Sequence, residues 1–175
     1  RFGQWRIERT GQGILGFITD HSYLDSPTFR GMRQALTNTF TDIYILDLHG
    51  DSRRRETAPD GGTDENVFDI QQGVAIALFV KESDKPNATS IHHADLWGLR
   101  ETKYQVLSGT DVASTAWSEA HPRSPFLLFI PRGEGLLAEW EKGWKITDIF
   151  PLHSVGAMSG HDFFITSHTL DELSR

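Results

Sequence analysis

The most constraining feature of this chain is a strand–helix–strand alternation in its first half. Gly13 to Thr19 (GILGFIT) is a short apolar run of buried-strand type. Ser26-Pro27 supplies an N-cap followed by proline at the first helical position. A helix then runs to about Phe40, with Phe29, Met32, Leu36 and Phe40 at three- and four-residue spacing. Asp42 to Leu48 (DIYILDL) forms the second strand. That order predicts an α/β layer on a mostly parallel sheet. Before it, Arg1 to Thr10 reads as the end of a helix stopped by Gly11-Gln12-Gly13. After it, Val67 to Ile70 and Gly73 to Lys81 (GVAIALFVK) read as one interrupted strand or a hairpin, able to add antiparallel at the sheet edge.

The polar stretch Lys81 to Ser90 reads as a boundary, and a weaker seam lies at Thr115 to Pro125. Between and beyond them the pattern is less regular. Leu99 to Leu107 and Leu136 to Lys142 read as helices, and Phe126 to Ile130, Ile146 to Phe150 and Phe163 to Thr166 as short strands. This half is α+β and aromatic-rich. The 175 residues suffice for one domain with a core, or one domain and part of a second.

Composition excludes several classes. The net charge of −7 is wrong for a basic nucleic-acid coat or a polybasic membrane module, although it allows a local basic patch. No apolar run approaches the roughly 18 residues of a spanning helix. The chain has no cysteine, so thiolate zinc sites, disulfide frameworks and thiol nucleophiles are absent, which fits a reducing compartment. It opens at Arg1 without a leader pattern and reads as part of something longer.

Few short motifs carry chemistry. The eight histidines (21, 49, 92, 93, 121, 153, 161 and 168) show no H-x3-H or HExxH spacing, so no metal ligand set is assigned. His92 and His93 would point to opposite faces of a strand. Asp47-x-His49 stands at the carboxyl end of a strand, where open α/β sheets place their sites. The letters G-x-G-x-x-G occur at Gly11, Gly13 and Gly16, but they enter a strand instead of leaving one for a helix, so they read as a turn and close packing. The loop Asp51 to Asn66 carries Arg53, Arg54 and Arg55 among acidic residues. Arginine forks suit phosphate, yet a solvated loop of cancelling charges reads equally well. Phe68 follows the loop directly, as either an ordinary core residue or an aromatic able to stack on a planar ligand.

Together, GILGFITDHSYLDSPTFRGMRQAL, IYILDLHGDSRRRETAPDGGTDENVFDIQQGVAIALFVK and ADLWGLRETKY resemble adenine-specific DNA methyltransferases, in particular the Type ISP group of single-polypeptide restriction–modification enzymes. The resemblance covers residues 1 to 107 and continues more loosely through SPFLLFIPR, EWEKGWKITDIFPLHSVG and HDFF. It implies that residues 1–90 are the C-terminal half of a Rossmann-like methyltransferase domain and 91–175 the start of an α+β target recognition domain. It implies S-adenosylmethionine as cofactor, double-stranded DNA as partner, a cytoplasmic location, and methyl transfer to the amino group of a flipped adenine. Phe68 matches the aromatic that packs on that base. Arg53, Arg54 and Arg55 would meet phosphates, while Arg100, Lys103 and Arg123 are the donors available to the reader. No residue here matches the family's glycine-rich cofactor motif or its Asn/Asp-Pro-Pro-aromatic tetrapeptide, so the segment alone is expected not to methylate DNA. Two other readings stand beside this one. A non-catalytic α/β binding or scaffold domain predicts closed sheet edges. An acid–base or metal-dependent hydrolase would use Asp47, His49 and Asp51.

Overall fold

The computed structural model describes residues 1–84, 89–132, 135, 139 and 142–152. The chain divides into two compact units, 1–132 and 133–175. Within the first, α1 (Phe2–Thr10) ends at Gly11, whose left-handed backbone (φ 77°) donates its N–H to the Ile7 carbonyl. Strand β1 (Gly13–Asp20) follows, then two 3-10 turns (His21–Leu24 and Pro27–Phe29) and α2 (Arg30–Thr39). Strands β2 (Asp42–His49), β3 (Val74–Lys81) and β4 (Ser90–Asp95) come next, then α3 (Arg100–Gly109) and β5 (Ser118–Ala120). In the second unit the described residues include one short helix, α4 (Ile146–Ile149), where the sequence predicts a strand.

The five strands form one sheet in the order β1-β3-β2-β4-β5. It is mostly antiparallel, not mostly parallel. β3 pairs antiparallel with both β1 and β2, and β4 pairs parallel with β2 and antiparallel with β5. The strand–helix–strand reading holds for β1, α2 and β2, since two strands antiparallel to the same neighbour run the same way. What it misses is the insertion of β3 between them. GVAIALFVK is central instead of at the edge, and Val67 to Ile70 is loop instead of strand. β4 joins the same sheet, so the position 90/91 falls at a hydrogen-bonded strand.

Side chains alternate across the sheet. Ile43, Ile45, Ala75, Ala77, Phe79 and Ile91 pack with Leu36 and Phe40 on one face. Leu48 and Val74 pack with Val67, Leu46, Ile76 and Leu107 on the other. The predicted face of α2 is displaced. Leu36 is buried, but Met32 is exposed and Arg33 takes the inward position. Arg33 is tolerated there because Nη1 donates to the Tyr23 and Ser26 carbonyls at 2.7 and 2.9 Å. Its Nε and Nη2 donate to Phe126 O at 3.1 and 2.6 Å, which ties the carbonyl of residue 126 to the buried guanidinium in a turn and not the predicted strand.

β1 is the less buried edge. Ile14 and Phe17 are 71% and 58% exposed, so GILGFIT is an open edge strand and not a buried one. The predicted elements Leu136–Lys142 and Phe163–Thr166 lie outside the described residues, apart from 139 and 142. Among the described residues no helix is long and apolar enough to cross a membrane.

Candidate functional site

β1, β2 and β4 share one direction, and their carboxyl ends gather at one end of the sheet with the start of β3. That is where open α/β sheets build sites. A cleft of about 380 Å³ opens there, lined among others by His21, Asp47, His49, Glu56, His93 and Asp95. The sequence marks Asp47 and His49. It gives no local sign of His21, Glu56 or Asp95, which the strand pairing and the fold of the loop after β2 bring alongside.

The local backbone explains the arrangement. The β2–β3 register shifts between Asp47 and His49, a bulge that re-aims side chains. His49 itself is left-handed (φ 54°), an outlier for a non-glycine residue, and its N–H donates to Asp47 Oδ1 at 3.0 Å. Gly50 follows at φ 83°, where a Cβ would lie 2.4 Å from the Asn66 backbone. His21 follows β1 and donates its N–H to the Gly73 carbonyl at 3.0 Å. A Cβ on Gly73 would sit 2.4 Å from the His21 ring, so glycine leaves the room that ring occupies.

Each of these histidines is held by a carboxylate. His21 Nδ1 lies 2.9 Å from Asp47 Oδ1, and His49 Nε2 lies 2.8 Å from Asp95 Oδ1. The His49 ring also stacks on Trp97, with centroids 3.3 Å apart. Burial alone lowers the pKa of both imidazoles, but the carboxylates outweigh it. His21 is raised by Asp47 and Glu56, and His49 is raised to about 9 by Asp95, Glu56 and Asp47. Burial works to raise Glu56 and Asp95, yet the histidines hold both below the usual carboxylate value. His93 goes the other way: burial pushes it down despite Asp95 and Asp47. As alternation predicts, His92 faces the opposite side, stacked on Tyr44 at 4.5 Å.

The loop after β2 is hydrogen-bonded throughout. Asp51 Oδ1 accepts from the N–H groups of Arg53 and Arg54, both at 3.0 Å. Asn66 Nδ2 donates to the Gly50 and Gln72 carbonyls at 3.1 and 2.6 Å. Arg53, Arg54 and Arg55 are exposed, with Arg54 3.7 Å from Asp25. Phe68 is 43% exposed and lines a second cleft with Asn66, Ile70 and Arg100. It is therefore not an ordinary core phenylalanine.

The three donors after residue 94 differ. Arg123 is exposed. Arg100 clamps the Phe68 segment, donating to Asn66 O, Phe68 O and Asp69 Oδ1 at 2.7, 3.0 and 2.7 Å. Lys103 is fully buried, with Nζ 2.7 Å from Asp64 Oδ1, 2.6 Å from Leu48 O and 2.7 Å from Glu65 O. An ammonium has three N–H donors. All of them are used inside the fold, so Lys103 anchors the loop and has none left for DNA.

No protein-family model matches the chain, and no curated protein matches it. Solved structures do. The chain is similar to Type ISP restriction–modification enzymes. It aligns with the ATP-dependent Type ISP enzyme LlaBIII bound to DNA at 29% identity and a TM-score of 0.60, over 78% of this chain and 9% of that one. A nuclease-deletion mutant of the Type ISP enzyme LlaGI with a DNA substrate mimic aligns at 25% identity and TM-score 0.59, covering 73% and 12%. A DrdV–DNA complex aligns at 28% identity and TM-score 0.58, covering 70% and 12%. The chain thus spans about a tenth of the length of these neighbours.

Proposed function

We propose that this chain is a DNA-contacting segment of a site-specific, adenine-methylating restriction–modification enzyme of Type ISP character. The observation that carries this reading is the similarity to three DNA-bound structures, two of them Type ISP enzymes, at 25–29% identity. The open β1 edge supports it, since further strands of a catalytic sheet would pair there and cover Ile14 and Phe17. In this reading residues 1–90 are the late part of the catalytic domain and 91–175 begin the DNA reader, the two sharing one sheet. The enzyme acts on DNA in the cytoplasm.

A base inside a duplex must leave the stack before its amino group can react, at a cost of a few kcal/mol. Phe68, half-exposed at the mouth of its cleft, offers the extruded adenine a face, and Arg100 positions Phe68 through its carbonyl. Arg53, Arg54 and Arg55 project from an ordered loop to meet phosphates, and exposed Arg123 contributes a donor to the reader. S-adenosylmethionine supplies the methyl group when bound. The described residues hold no glycine-rich strand-to-helix turn of the kind that cradles it: the β4–α3 turn has the single Gly98. No step is therefore derived through the cofactor.

The test is methyl transfer to adenine-containing duplex DNA by the whole polypeptide, with and without Phe68→Ala. Base stacking contributes about 1–3 kcal/mol, so the variant should lose about 5- to 150-fold in rate. Full activity in the variant would demote Phe68 to a surface residue. No transfer by the whole polypeptide would refute adenine methylation.

A further inference from the structure

The geometry points to a divalent transition-metal site, of the kind zinc occupies, built by His21, His49 and Glu56 in the cleft at the strand ends. This does not depend on the methyl-transfer reading. One ligand atom from each of the three lies within 4.8 Å of the others. An ion centred among atoms so spaced draws each in by less than about 1 Å to reach bonds of 2.0–2.2 Å.

Three observations make this more than a polar cluster. First, the unused ring nitrogens are buried and unpartnered. His21 Nε2 and His49 Nδ1 have no hydrogen-bond partner in residues that are only 6% and 8% exposed. A buried polar atom without a partner is costly and calls for an explanation. Second, the opposite nitrogens are already engaged as metal-ligating histidines engage them. Nδ1 of His21 donates to Asp47 and Nε2 of His49 to Asp95, so His21 Nε2 and His49 Nδ1 are the nitrogens an ion would take, displacing any proton they carry. Third, the backbone holds this arrangement at a cost, through the left-handed His49 and the glycine at 73 that makes room for the His21 ring.

Glu56 completes the set with a hard oxygen. Its Oε1 is 3.8 Å from His49 Nδ1, while its Oε2 accepts the Asp51 N–H at 2.9 Å and orients the carboxylate. Asp51 Oδ2, 3.9 Å from His21 Nε2, is near enough to be a fourth ligand, and otherwise solvent from the cleft takes that place. Two imidazoles and one or two carboxylates select zinc, cobalt or nickel over magnesium and calcium, which favour oxygen alone. An ion here would join the end of β1, the end of β2 and the arginine loop.

The experiment is equilibrium dialysis of the metal-stripped full chain against Zn²⁺, with Co²⁺ as a spectroscopic stand-in. The expected result is a site lost in His49→Gln and Glu56→Gln and weakened about 10- to 100-fold in Asp95→Asn, which removes only the carboxylate behind His49. Co²⁺ should give a visible spectrum that changes in each variant. Circular dichroism shows that a variant is folded before its uptake is compared, and Asp95→Asn, at a partly exposed side chain, serves if the others unfold. No uptake by the native chain, or uptake and a Co²⁺ spectrum unaltered in the folded variants, would overturn the proposal. The second outcome would place the ion on other histidines.

Discussion

Replacing Lys103 by methionine separates a buried anchor from a DNA contact. The change removes an ammonium whose side chain is 0% exposed and leaves Asp64, also 0% exposed, with the Gly98 N–H at 2.8 Å as its remaining partner. The second oxygen of Asp64 already lacks one, and the Leu48 and Glu65 carbonyls lose their donor. Breaking a buried ion pair from one side costs about 3–5 kcal/mol. That is a fifth or more of the stability of an ordinary domain, about 5–15 kcal/mol. In urea, with a slope of about 2 kcal/mol per molar, the midpoint should fall by about 1.5–2.5 M. Tryptophan fluorescence can follow the transition. Adding Asp64→Leu should recover most of the loss, because an apolar pair of similar size carries no stranded charge. The same proteins can be titrated with DNA across a salt series. A lysine on phosphate contributes about one unit to the salt slope. A midpoint shift worth less than about 1 kcal/mol, together with a slope reduced by one unit, would refute the anchoring argument and return Lys103 to the DNA surface.

Other expectations follow from the same geometry. Phe68→Ala should slow adenine methylation about 5- to 150-fold while changing the urea midpoint little, because the ring is 43% exposed. Arg33→Met strands the Tyr23, Ser26 and Phe126 carbonyls and should cost about 2–4 kcal/mol in the same denaturation assay, whereas Arg30→Ala on the exposed side should stay within about 0.5 kcal/mol. In chelator-treated protein, thermal melts should lose stability on both sides of about pH 6.5, because His93, whose pKa burial lowers, begins to cost the fold as pH falls below that value. His49 has a raised pKa, so its contribution is complete below 6.5 and is lost as pH rises through about 9. Glu56 and Asp95 have lowered values, so theirs is complete above 4.5 and 3.8 and is lost as pH falls further. A flat profile from pH 6.5 to 9.5 would remove the His49–Asp95 interaction from the stability of the fold.

Periodicity gave local elements reliably where one face of a segment is buried. α2, β2 and β3 lie within a few residues of their predicted places because their apolar spacing reports burial directly, whereas α1 is placed although Phe2 and Trp5 are exposed. Strand order is a different kind of information. GVAIALFVK reads as a buried run whether it ends a sheet or sits in its middle, so nothing local says that β3 enters between β1 and β2. GILGFIT reads as buried for the same reason: apolar residues are counted, not the neighbours that cover them, and among the described residues β1 pairs with β3 alone. α2 shows a subtler failure. Counting apolar residues puts Met32 inward, but an arginine with three carbonyls to meet is satisfied inside, and that depends on residue 126.

The site follows the same division. Asp47-x-His49 was legible because a strand end is a local feature with a general meaning. Lys103 was not, because a lysine in a polar helix looks exposed unless Asp64 is known to lie beneath it. His21 and Glu56 were silent because metal-ligand spacing in sequence describes sites built on one helix or one turn. Here the donors come from the ends of two parallel strands and the loop after the second, and no fixed spacing arises from strands joined by a helix of arbitrary length. The sheet supplies what a spacing rule would have supplied. Parallel β1 and β2 flanking β3 deliver His21 and His49 to the same rim, and the bulge at His49 turns the second ring toward the first.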